Sequence, residues 1–106
     1  IYISTGGPGS PYDGDGEWDR RWFGLVQAIW DHNEQARRTG APRKFLFLIC
    51  HSFQMACRHF GVGEVTKRKS TSFGVMPCHL TAAGRHDLVL ECLPDPFHVV
   101  DSRDWQ

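Results

Sequence analysis

Cys50 stands where the apolar run Phe45-Leu46-Phe47-Leu48-Ile49 stops and a segment with helical spacing, His51 to Phe60, begins. A strand that hands a thiol to the first turn of a helix projects it outward, and the N–H groups of the new helix face whatever it attacks. The same helix end favours the negative charge of a thiolate, the nucleophilic form. These features make Cys50 a candidate nucleophile on a sharp elbow. The competing reading is a small buried hydrophobe, which is how most free cysteines behave.

A second segment adds to the first. Ile1-Tyr2-Ile3-Ser4 reads as the end of a strand and runs into Thr5-Gly6-Gly7-Pro8-Gly9-Ser10-Pro11. Glycines open dihedrals closed to other residues, and prolines stiffen the turns between them. Such a loop presents bare backbone N–H groups to a developing oxyanion. By itself it is an ordinary turn; followed by a helix, a buried strand and a cysteine elbow it becomes specific.

The two segments together resemble the class I, triad-type glutamine amidotransferase family. Its oxyanion loop commonly reads Gly-Gly-Pro-Gly-Ser-Pro, intact here from Gly6 to Pro11, and Ile49, Cys50 and Gln54 match its elbow, Gly-Ile-Cys-x-Gly-x-Gln. Gly63-Glu64-Val65 and Phe73-Gly74-Val75 fall where relatives carry the strands after the elbow helix. The resemblance implies a parallel, doubly wound, flavodoxin-like α/β sheet. It also implies release of ammonia from L-glutamine through a cysteinyl thioester, for transfer to an acceptor site on a synthase domain or subunit. Cys50 would be catalytic, the N–H groups of Gly7 and His51 would form the oxyanion hole, and Gly9 and Gln54 would contact the glutamine. No cofactor or metal is implied.

This chain departs from the family pattern at three places. Leu48 and Ser52 stand where the elbow glycines would be, although a strained turn favours small residues there. The family's downstream His-x-Glu pair, which activates and orients the thiol, has no counterpart among the 56 residues after Cys50. The chain starts in mid-strand at Ile1 and stops at Trp105-Gln106, where relatives have a strand still running. Residues 1–106 are therefore expected to be the central part of one domain, incomplete at both ends and not able to turn over alone. The alternatives are a degenerate module of the same fold that binds without turnover, or a related cysteine-elbow enzyme such as a γ-glutamyl hydrolase.

The elements that must position these groups are legible in outline. A long helix is expected from about Glu17 to Thr39, with Asp15 near its start and Gly40 and Pro42 ending it. Trp18, Trp22, Leu25, Val26, Ile29 and Trp30 form its apolar stripe and its expected core face. The run 44–49 reads as a central parallel strand buried on both faces. Helix 51–60 follows with Gly61 as its cap, then shorter strands at 64–69, 73–80, 88–92 and 97–101. Alternation of strand and helix over the first 60 residues argues for a parallel sheet.

Composition narrows the partners. Twelve Lys and Arg balance twelve Asp and Glu, so there is no electrostatic footprint for nucleic acid or an acidic membrane. Lys67-Arg68-Lys69 reads as a solvated strand end, and no apolar run reaches the roughly 20 residues of a membrane span. Cys50, Cys57, Cys78 and Cys92 lack the spacing of a disulfide scaffold, which favours a reduced, cytoplasmic protein. Cys50, His51, Cys57 and His59 lack the paired spacing of a zinc site. His51 and His59 are expected at the surface or behind the site, and His79, His86 and His98 carry no distinguishing signal.

Overall fold

The structure, a computed structural model, describes residues 1–14 and 16–106. They form two compact units, Ile1–Lys67 with Trp105–Gln106, and Arg68–Asp104. The role expected of Asp15 at a helix start lies outside the described residues.

In the first unit β1 (Tyr2–Ser4) pairs in parallel with β2 (Leu46–Leu48), setting Ile3 opposite Phe47 and Ser4 opposite Leu48. Parallel neighbours need a crossover, and α1 (Trp18–Thr39) supplies it. Helix α2 (His51–Phe60) follows β2 directly. Both helices end as their sequence predicts, on glycines in the left-handed region: Gly40 at φ 75° and Gly61 at φ 63°. Val26, Ile29 and Ala36 of α1 are buried, as are Met55, Ala56 and Cys57 of α2 and Val65 beyond it. Asn33 brackets the approach to β2, donating from Nδ2 to the Lys44 carbonyl at 2.8 Å and accepting the Lys44 N–H at 2.7 Å.

Two expectations fail within this unit. The strand is not buried on both faces. Leu46 and Leu48 line an apolar groove of about 300 Å³ with Val26, Ile29, Phe53 and Phe60, whereas Ile3 and Phe47, on the opposite face, are exposed. The apolar stripe of α1 is likewise buried only in part. Trp18, Leu25 and Trp30 are half exposed, and Trp30 stacks on Phe60 with ring centroids 4.6 Å apart.

The second unit holds most of β3 (Lys67–Cys78) and β4 (Phe97–Trp105), paired with each other as an antiparallel ribbon. The doubly wound, flavodoxin-like parallel sheet expected from the sequence is therefore corrected. There are two short two-stranded sheets, one parallel and one antiparallel. The β-α-β alternation of the first 60 residues completes one crossover only, and the later strands pair among themselves. The separate strands expected at 64–69 and 73–80 form one continuous strand, and the strand expected at 88–92 is absent. Asp87 closes that segment on itself: its carbonyl accepts from Leu90 and Glu91 N–H, and its Oδ1 accepts from Val89 N–H at 2.8 Å. Such Asx-type bonding competes with strand pairing.

Asp95 fastens the turns between β3 and β4. It accepts from His79 Nδ1 at 3.0 Å and from the Arg85 guanidinium. Removal from solvent pushes its carboxyl up, but the His79 hydrogen bond, the Arg85 charge and hydrogen bond, and the Leu80 N–H outweigh this and hold it below its ordinary 3.8. A carboxylate depressed in the fold stabilises it above the unfolded value and loses that contribution as pH falls through the folded one. Melting followed from pH 6 to pH 2 is therefore expected to show an extra loss of stability below about 3.8 in the native chain that Asp95→Asn lacks. Parallel curves for the two proteins would show that Asp95 plays no such part.

Candidate active site

Cys50 caps the N-terminus of α2 with φ 53° and ψ −110°, and is the one non-glycine residue with positive φ among the described residues. These angles match the first central position of a type II′ turn, where glycine is favoured. Holding another residue there costs on the order of 1–3 kcal/mol and persists only when the surroundings impose it. The strand-to-helix elbow foreseen around Cys50 is thus present in the backbone itself.

Ser52 and Leu48, at the positions where the elbow pattern Gly-Ile-Cys-x-Gly-x-Gln has glycine, are both accommodated. Ser52 is 3 % exposed; its hydroxyl donates to the Ser4 carbonyl at 2.8 Å and accepts the Ile49 N–H at 3.0 Å. One side chain therefore ties the end of β1 to the end of β2 directly under the elbow. Leu48 faces the apolar groove rather than the turn. Replacing Ser52 by Ala removes one of two donors to the Ser4 carbonyl, which keeps the Ile49 N–H, and chemical denaturation is expected to show a loss of about 0.5–1.5 kcal/mol. A loss below a few tenths would mean the hydroxyl is dispensable.

The glycine-rich loop reaches this elbow. A Cβ placed on Gly6 would stand 2.9 Å from Cys50 Cβ, 3.3 Å from the Ile49 carbonyl oxygen and 3.7 Å from Cys50 Sγ. Only a residue without a side chain allows so close an approach. Around Gly7 and Gly9 the corresponding space is open, and Gly9 has φ 106°. Gly6 is thus the residue in contact with Cys50, while the sequence had drawn attention to its neighbour. The N–H of His51, at the first position of α2, has no acceptor within the helix, and Pro8 has no N–H to offer.

The remaining candidates separate. The His51 ring lies against the loop, with Nε2 3.3 Å from the Ser10 carbonyl oxygen. Gln54 does not present its amide to open space: it is buried, and its Nε2 donates to the Trp105 carbonyl at 2.9 Å. His59 lies at the far end of α2, stacked on Phe23 and 2.8 Å from Gln27 Oε1. Two residues passed over in the sequence prove to touch the loop, Arg58 and Tyr12. Neither belongs to a motif, and no spacing signals them.

Among the described residues no group of three or more His, Cys, Asp or Glu is arranged to hold a metal ion, and no helix is long and apolar enough to cross a membrane. No protein-family model matches the chain, and neither does any curated protein or solved structure. The likeness to glutamine amidotransferases rests on the loop and elbow residues themselves.

Proposed function

We propose that the first unit carries a cysteine acyl-transfer site of glutamine amidotransferase type. The observation that carries this reading is the left-handed backbone of Cys50 at a strand-to-helix turn with Gly6 against its side chain. In the reaction the Cys50 thiolate attacks the side-chain amide carbon of L-glutamine. The carbonyl π electrons move onto oxygen, where the N–H groups of Gly7 and His51 would receive them. Collapse breaks the carbon–nitrogen bond, the nitrogen leaves with a proton as ammonia, and a glutamyl thioester remains for water to cleave to glutamate. Ammonia would pass to an acceptor domain or subunit. Four unpaired cysteines support placement in a reducing compartment such as the cytoplasm.

One observation favours a second reading, binding without turnover. Gln54, the residue that would meet the substrate, is already engaged by the Trp105 carbonyl. Affinity labelling of the protein with a glutamine-derived chloroketone, followed by peptide mapping, tests the first reading, and no labelling at Cys50 together with no ammonia release from glutamine would leave the second.

A further inference from the structure

We propose that Arg58 is the positioning residue that holds the glycine-rich loop against Cys50, so that the loop's amides, and hence selection of a glutamine-like carbonyl, depend on a side chain two turns along α2. This rests on the reading of Cys50 as a nucleophile. The middle of the loop is not packed at its glycines, since a Cβ on Gly7 or Gly9 would meet nothing within 4 Å. Its near end is fixed by Gly6 on Cys50. Its far end needs a separate anchor, and Arg58 supplies it twice. The guanidinium donates to the Pro11 carbonyl and lies over the Tyr12 ring, 3.8 Å from its centroid.

The anchor is itself braced. Pro11 is fully buried, and Tyr12 donates its hydroxyl to the Val65 carbonyl at 2.8 Å. A planar guanidinium suits this double task, since it stacks by its face and donates from its edge. Cys50 and Arg58 both belong to the α2 segment, so the thiol and the loop's anchor share one rigid element. The segment from Gly6 to Pro11 joins these two contacts, and near its far end the Ser10 carbonyl oxygen lies 3.3 Å from His51 Nε2.

The experiment uses Arg58→Met, which keeps the aliphatic stem and removes the donors, with Arg58→Lys as the conservative variant. Two alkylation rates are measured at Cys50 by peptide mapping, one with the glutamine-derived chloroketone and one with iodoacetamide, which needs no oriented carbonyl. Arg58→Met is expected to slow the chloroketone by about tenfold to a hundredfold, to leave iodoacetamide within about twofold, and to speed amide exchange at Gly9, Ser10 and Tyr12. Arg58→Lys is expected to recover part of the chloroketone rate. A merely structural arginine would shift both reagents together. An unchanged rate ratio with unchanged loop exchange in Arg58→Met overturns the proposal. If the native protein shows no preference for the chloroketone, the glutamine reading falls, and loop exchange alone decides whether Arg58 positions the loop. If Arg58→Met does not fold, Tyr12→Leu, which removes the ring beneath the guanidinium, decides on the same measures.

Discussion

A glutamine-derived chloroketone is expected to modify Cys50 at least about a hundredfold faster than any other cysteine, since only there is the reagent's carbonyl held beside the thiol. The exposure of the four thiols makes this a demanding expectation. Cys92 is exposed, Cys50 and Cys78 are half-buried and Cys57 is buried. If accessibility governed reactivity, Cys92 would be modified first. Peptide mapping after brief exposure distinguishes the two outcomes, and Cys50→Ala is expected to abolish the fast phase while leaving the slow ones. Fast labelling at Cys92 with none at Cys50 would remove the nucleophile assignment. Labelling is the decisive measurement, rather than ammonia release. Turnover needs a base and an orienting group as well as an oxyanion hole, and no His-x-Glu follows Cys50 in residues 51–106.

Gly6→Ala is expected to be the most damaging single change in the loop. Its methyl would stand 2.9 Å from Cys50 Cβ and 3.3 Å from the Ile49 carbonyl oxygen, neither of which is the far end of a flexible side chain. The loop must lift away from the elbow, with a loss of stability of about 1–3 kcal/mol. Its amides then miss the oxyanion position, and the labelling rate at Cys50 is expected to fall by about 10²–10³, the effect of losing one oxyanion donor. Gly7→Ala is the internal comparison, because the space beside Gly7 is open. It should retain most of the labelling rate and of the melting temperature. The reverse order of damage would show that the loop meets the thiol differently.

What could be read beforehand was local. The places of β1 and β2 along the chain, the span of α2 and the two glycine caps follow from short-range chemistry: an apolar run, a helical period, a residue able to turn left-handed. The elbow at Cys50 was legible for the same reason. The sheet was not, because strand partners are chosen by distant segments, and Phe45 to Ile49 reads as a doubly buried strand whether or not a second layer covers Phe47. The segment 88–92 misled in another way. Its apolar residues suit a strand, but Asp87 offers three nearby N–H groups a local acceptor. Arg58 and Tyr12 were invisible because a contact across 46 residues leaves no periodic trace.

The backbone of Cys50 has one further consequence. Glycine is the residue that relaxes at φ 53°, ψ −110°, so a chain selected for stability alone would carry glycine at position 50. Mutational drift unopposed by function moves toward such relief, since stabilising replacements at strained positions are plentiful. On the proposed reading of Cys50 as a nucleophile, position 50 is a place where usefulness and stability pull in opposite directions, and a chain carrying glycine there is expected to keep the shape without the chemistry.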